Sequence, residues 1–251
     1  MTNWELPTLE LLVGWNAFGR EMLPTPLRYL GDAGSHDEYQ QQYREAANHF
    51  AKHWDEQLYR AFVTLAQPWA RIELVGYRTG EPDPVIRVHG AVAARSGAVL
   101  VQRRDRDTVH IARTSVEQVA RHVVGRLPAM PAGPQPRLEV AMADLAPPSA
   151  ATFARPESWA EPEKSPAETL RQRTKDRLGG GHITIIPGPD LSELPVSGTE
   201  FVWFDLPDGR YLQWHDHRIL TLFPVDEQRF AQHLQHETTR TADRYRREVS
   251  S

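Results

Sequence analysis

The sequence predicts an α+β protein built from two copies of one unit that share a sheet. Three observations carry this expectation. Stretches with apolar residues at every second position alternate with stretches whose apolar residues recur at spacings of three and four, the strand and helix periods. The order helix, strand, turn, strand, hairpin, helix occurs twice. A single offset of 111 residues also aligns the two runs. It matches Ile72 with Ile183, Leu74 with Ile185, Val75 with Ile186, Gln102 with Gln213 and Asp105 with Asp216. Further along it matches Val109 with Leu220, Ile111 with Leu222, Val119 with Phe230, Ala120 with Ala231, His122 with His233 and Val123 with Leu234. Chance agreement between two amphipathic patterns is the competing explanation. A period this long is not that of a solenoid. It points to two half-domains about a pseudo-twofold axis, each too small alone for a comfortable core. The expected organisation is one domain over residues 1–251, with halves at 1–128 and 136–245.

The elements follow in order. Leu6, Leu9, Leu12 and Val13 begin a strand and then a helix whose apolar face continues through Trp15 and Phe18, until Pro24 and Pro26 end it. Asp37–Leu65 is helical, with Tyr39, Tyr43, Ala46, Ala47 and Phe50 in one part and Leu58, Phe62 and Leu65 in a second, closed by Pro68. Ile72 and Leu74 alternate with Arg71 and Glu73, a half-buried strand. After the turn at 80–84, Val85–Ala94 forms the next strand, and Val99–Gln102 with Val109–Ile111 forms a hairpin. Ser115 and Gln118 make a capping-box pattern before a helix carrying Val116, Val119, Val123 and Leu127. Residues 128–136 are a linker, and Arg137–Ala143 is a strand. Residues 145–166, rich in Pro, Ala, Ser and Glu, read as an exposed loop. A helix over Ala167–Leu178 ends at Gly179, Gly180 and Gly181, read as its cap. Strands follow at His182–Ile186, Glu200–Leu206, Gly209–Trp214 and Ile219–Phe223. A last helix from about Asp226 carries Phe230 and Leu234, and the charged tail beyond Arg240 is expected to fray.

Composition narrows the function. The chain is 40% hydrophobic and 25% charged, close to the globular average, so a core is affordable. A formal net charge of −4 provides no field for nucleic acid or an anionic membrane. There is no cysteine, which removes disulfides, thiol catalysis and cysteine-ligated zinc. Met1–Leu12 lacks the basic start of a signal peptide, and no apolar run approaches the ~20 residues of a membrane span. The expected location is the cytoplasm.

Candidate chemistry is sparse. The Gly179–Gly181 run follows a helix, whereas a phosphate loop precedes one. His215, Asp216 and His217 resemble a metal motif but supply two imidazoles where zinc takes three or four ligands. His233 and His236 share a helix face. Asp205 and Asp208 flank a turn of ordinary Asp-Gly chemistry. Arg103, Arg104 and Arg106 are offset by Asp105 and Asp107. No residue is assigned to catalysis, and no metal or cofactor is expected. Trp203 and Trp214, on neighbouring strands, are either core or partner anchors.

Two sets of residues resemble the EspG family of ESX (type VII) secretion. At the start these are Trp4-Glu5-Leu6, the stretch through Trp15 and Gly19, and Leu23-Pro24 with Pro26-Leu27. In the second half they are Gly179-Gly180-Gly181-His182-Ile183, Trp203-Phe204-Asp205, Gly209-Arg210-Tyr211-Leu212 and Phe223-Pro224-Val225-Asp226. The resemblance implies a central antiparallel sheet flanked by two helical bundles with quasi-twofold symmetry. It implies a cytosolic chaperone, not an enzyme. Its partner would be a PPE-type substrate, within a PE–PPE heterodimer, whose apolar helical tip it covers. It would be a monomer or weak homodimer without membrane insertion. The partner-facing parts would be the loop from Tyr77 to Pro84 and the C-terminal bundle. The expected contact residues are Tyr77, Arg78, Glu81, Asp83, Trp203, Trp214 and Phe230. The alternatives are a ligand-binding regulatory or sensor domain with a duplicated sheet, and a metal-dependent hydrolase using His215 and His217.

Overall fold

The computed structural model describes residues 2–80, 85–103, 107–145, 164–190 and 198–250. Glu81, Asp83, the basic cluster at 104–106 and nearly all of the expected loop at 145–166 lie outside the described residues. The period-two stretches become strands β1 (Thr2–Pro7), β2 (Ala70–Arg78), β3 (Ile86–Ala93), β4 (Ser96–Arg103) and β5 (Thr108–Thr114) in the first half. In the second half they become β6 (Leu138–Ala141), β7 (Gly179–Pro187), β8 (Thr199–Leu206), β9 (Gly209–His215) and β10 (Ile219–Pro224). They form one ten-stranded antiparallel sheet in the order β1-β5-β4-β3-β2-β7-β8-β9-β10-β6. The chain is an α+β protein.

The registers bear on the 111-residue offset. At the centre, Glu73 of β2 lies opposite Thr184 of β7, the residue 111 positions on. Ile72 faces Gly90, and Ile183 faces Phe201, so both strands of the adjoining hairpins keep that offset. The next turns do not. Ala93 faces Ser96, and Leu206 faces Gly209, a displacement of 113. Gln102 and Gln213 therefore share a side of the sheet without occupying equivalent places. The turns slip by two residues and the strands after them by four, since Ala98 faces Ala91 and Gln213 faces Val202; an even shift preserves the face of every side chain, which is why the pattern survived it.

Among the described residues six α-helices cover the sheet: α1 (Thr8–Asn16), α2 (His36–His53), α3 (Glu56–Ala66), α4 (Val119–Val124), α5 (Pro166–Arg173) and α6 (Glu227–Val249). On one face α4 and α6 pack over the centre, burying Ile72, Leu74, Ile183, Ile185 and Trp203 with Val119, Val123, Phe230 and Leu234. On the other face α1–α3 bury Leu11, Trp15, Phe50, Leu58 and Phe62 against Leu100, Val109 and Ile111. On that same face α5 places Ala167 and Leu170 against Val140, Phe204 and Leu222.

Three local expectations are corrected. Ser115 makes no capping bond; its hydroxyl serves the Glu117 carboxylate, and a 3₁₀ turn precedes a short α4. The glycines 179–181 do not cap a helix. The fifth helix stops at Thr174, whose N–H and hydroxyl both donate to the Leu170 carbonyl, and the glycines begin β7. Finally, the tail beyond Arg240 does not fray, because α6 continues to Val249. Thr241 and Ala242 are buried, and the Tyr245 ring lies over Gly188. Thr238, Thr241 and Tyr245 continue the helical spacing, a signal that the surrounding charges obscured.

Candidate functional site

Strand alternation fixes which side chains share the face carrying α1–α3 and α5. Cross-strand partners point the same way, so Val75, His182 and Val202 form one row, and Tyr77, Gly180 and Phe204 the next. α5 covers these rows at their β8 end, burying Phe204; among the described residues, no helix covers their β2 end. Val75 is 42% exposed, Tyr77 40% and neighbouring Leu178 46%, with the exposed His182 beside Val75. Gly180 has no side chain between Tyr77 and Phe204. A depression of about 210 Å³ opens there, with Val75, His182, Val202 and Arg177 at its sides. The Arg177 guanidinium lies 4.5 Å over the Phe204 ring, a cation–π contact, and its Nε donates to the Thr174 carbonyl at 2.7 Å. The site thus has an apolar floor and a fixed cation at its rim.

One glycine on each of the two central strands serves this floor from beneath. A Cβ at Gly76 or at Gly181 would meet the Trp203 ring at 2.4 Å. The indole therefore lies flat across β2 and β7 on the α4–α6 side, where only glycine leaves room for it. Trp203 is 1% exposed and Phe230 is fully buried, so both serve the core. Tyr77 and Arg78 stand at the end of β2 and are exposed. Trp214 is half-buried on the opposite face, in a groove of about 530 Å³ beside α6 with Phe201, Phe223 and His233. Its Phe223 and His233 rings are 5.0 Å apart. Burial, then the neighbouring His236, lower the His233 pKa, against a smaller raising effect of Glu237. The expected contact residues thus fall on both faces of the sheet and in its core, rather than at one place.

The residues read as turn chemistry have a larger role. Asp205 and Arg210 are opposite one another on β8 and β9 and are 4% and 1% exposed. Arg210 donates through Nε to Asp205 Oδ1 at 2.6 Å and through Nη2 to Oδ2 at 2.8 Å, with a further bond from Nη2 to the Pro128 carbonyl at 2.8 Å. The linker is held again on the other face, where the Gln135 N–H donates to the Tyr211 hydroxyl and Tyr211 donates to Asp208 at 2.9 Å. The Asp-x-x-Asp-Gly-Arg-Tyr stretch, residues 205–211, therefore anchors the connection between halves. The pairing of an acid and a base five residues apart across a tight hairpin was the available signal.

His215, Asp216 and His217 form an exposed turn. Asp216 Oδ1 accepts the N–H groups of Arg218 and Ile219, which hold its carboxyl below the usual range. Among the described residues, no group of three His, Asp or Glu side chains converges to hold a metal ion. Among the described residues, no helix is long and apolar enough to cross a membrane.

Comparison with known proteins adds a family and a fold. No curated protein sequence matches the chain. Among solved structures it is similar to the Mycobacterium tuberculosis type VII secretion system chaperone EspG5, solved in complex with a PE25–PPE41 dimer, at 12% identity over 96% of each chain with a TM-score of 0.55. At that identity the likeness speaks for the fold. A family model matches from the end of β1 into α6, residues 7–236, and the chain belongs to the EspG family.

Proposed function

We propose that this protein is a non-catalytic cytoplasmic chaperone of type VII (ESX) secretion that covers the apolar tip of a PPE-type helical substrate and keeps it soluble for export. Family membership supports the class of function. The observation that carries the reading is the uncovered strip at the centre of the sheet. It spans two to three strands, and at ~4.8 Å per strand it is about 10–14 Å wide. An α-helix with its side chains is about 10–12 Å across, so the strip accepts the end of one helix or helical hairpin. Its exposed residues, Val75, Tyr77 and Leu178, are apolar anchors, and the Arg177 cation at the rim suits an interface with a polar border. Tyr77 and Arg78 are retained as contact residues, with the adjoining Glu81 and Asp83. Trp214 belongs to a second contact area beside α6.

The proposal includes the architecture implied by the family: two matched halves about a quasi-twofold axis at the Glu73–Thr184 pair, each with its helical bundle. The 111-residue register at the centre supports it.

The test is co-expression with a PE–PPE pair encoded in the same genome. A soluble unit with one chaperone per heterodimer is expected on gel filtration. Tyr77→Asp and Val75→Asp should abolish co-elution while the free chaperone keeps its circular dichroism, and His215→Ala should leave co-elution unchanged. If the wild-type protein retains such pairs no better than unrelated helical proteins, the reading fails.

A further inference from the structure

The sheet ends at β1, and among the described residues no strand pairs with the outer side of β1. Its register on β5 fixes which backbone groups face outward. Thr8 continues that register opposite Asp107, and its N–H donates to the Asp107 carbonyl at 2.9 Å. In an antiparallel ladder alternate residues turn both N–H and C=O to the same neighbour. Thr2, Trp4 and Leu6 therefore bond to β5, and Asn3 and Glu5 turn both groups outward. Pro7, with no N–H to offer, falls at an outward position at the end of the strand, where an edge tolerates it.

The side chains divide in the same way. Leu6 is 1% exposed and packs with α1–α3, and Trp4 is half-buried against the same cluster. Asn3 and Glu5 point to the other face and are exposed. Among the described residues the Asn3 amide has no partner, and the Glu5 carboxylate meets only His110 Nε2, at 3.6 Å. Edge strands are commonly guarded by lysine or a bulge; β1 carries neither.

We propose that β1 pairs antiparallel with β1 of a second copy of this chain, with Trp4 opposite Trp4 on the twofold axis, so that one sheet runs through the dimer. Asn3 then lies opposite Glu5 of the second copy, twice. Each such pair exchanges two backbone bonds and sets an amide donor beside a carboxylate that lacks one. The two indoles meet on the α1–α3 face with about 4.5–5.5 Å between Cβ atoms. Neighbouring registers are worse. One puts Glu5 opposite Glu5, like charges side by side, and Pro7 opposite Asn3. The other puts Asn3 opposite Asn3 and carries Glu5 beyond Thr2 of the second copy.

The far edge is a poorer partner. β6 has four residues, follows Pro136 and turns only Glu139 and Ala141 outward, since the Met142 N–H in the same register donates to the Arg218 carbonyl. Pairing β1 with β6 would also leave an open edge on every assembly and propagate, whereas β1 with β1 closes at two copies. A six-residue strand pair buries less than the ~1,200 Å² of a standard interface, so the dimer is weak and forms with concentration. Strands β5, β4 and β3 separate this edge from the open strip, and the dimer does not depend on the chaperone reading.

The test is sedimentation velocity of the full chain from about 1 µM to 1 mM, with amide exchange read residue by residue by NMR. The wild type should pass from monomer to dimer. As it does, exchange at the Asn3 and Glu5 amides should slow, while the Trp4 and Leu6 amides, already bonded to β5, should change little. Asn3→Glu sets a second carboxylate opposite Glu5 and should raise the dimer Kd about tenfold; Asn3→Lys sets a cation there and should lower it about tenfold, because the axis counts each pair twice. Both variants should keep the wild-type circular dichroism, since the position is exposed. If one misfolds, the concentration-dependent exchange of the wild type decides alone. A chain monomeric throughout, a species that grows beyond a dimer, or the same Kd in both variants overturns the proposal.

Discussion

Replacing Asp205 by Ala removes both oxygens that receive the Arg210 guanidinium. What remains is a cation 1% exposed to solvent with one bond, to the Pro128 carbonyl. Breaking a buried pair by deleting one partner costs about 3–5 kcal/mol, because the surviving charge is neither solvated nor compensated. For a chain of this size each kcal/mol lowers the midpoint by about 2–4 °C, so a fall of about 6–20 °C is expected. The damage should be local first. Arg210 also donates its N–H to the Pro131 carbonyl and accepts from Gly133, so the linker loses its anchor when the side chain moves. Urea unfolding followed by far-UV circular dichroism measures the loss, and hydrogen exchange at 128–135 measures its location. The double variant D205A/R210M is the control. It removes both charges and keeps an unbranched stem, and it should recover most of the stability. A single variant within about 1 kcal/mol of wild type, or a double variant as unstable as the single, would refute this account of the pair.

Three further outcomes follow from the packing. Gly181→Val should destabilise by at least about 1–3 kcal/mol, the usual range for overpacking, since its Cβ would lie 2.2 Å from the Val75 carbonyl oxygen and 2.4 Å from the Trp203 ring; quenching or a spectral shift of tryptophan fluorescence should accompany it. His89 makes stability depend on pH. Its folded pKa of about 4 lies below the ordinary 6.5, so the unfolded chain binds more protons between these values and stability falls as pH drops from about 6.5 to 4. The loss approaches about 3 kcal/mol at pH 4, and urea titrations of wild type and His89→Phe across that range should differ in slope. Tyr245→Ala uncovers Gly188, whose φ of +67° holds the turn after β7, and should cost about 1–2 kcal/mol by thermal melting.

Much of the fold was legible because burial on a sheet imposes a strict period. Ile72 and Leu74, or Ile183 and Ile185, could not be exposed without exposing the whole strand face. The glycines at 179–181 were not legible, because a helix cap and a crowded strand crossing demand the same residue. Only the Trp203 ring, brought to them from β8, separates the two explanations, and it is more than twenty positions away. Asp205 was misread for a similar reason. Asp near Gly is common in turns, and its ion pair exists only once the hairpin register places Arg210 opposite. Contact residues are the least legible in a sequence. Trp203 and Phe230 were chosen as large aromatics, which are equally the residues a core needs.

Burial also breaks the symmetry of the pattern, and it does so at the candidate site. Val75 and Ile186 match at the 111-residue offset, yet Val75 is 42% exposed and Ile186 8%. They lie on opposite sides of the Glu73–Thr184 pair, on the same face of the sheet. If packing alone governed these positions, matched strands would be covered alike. One side is closed and the other presents Val75, Tyr77 and Leu178 to solvent, so the open side keeps apolar residues that the fold does not use. Exposed apolar surface is a liability for a monomer unless something covers it. A partner that did so should protect the β2 and β7 amides from hydrogen exchange on the Val75–Tyr77 side of the pair and leave the Arg71–Ile186 side unchanged. Uniform protection across both sides would show that the asymmetry in burial has no bearing on binding.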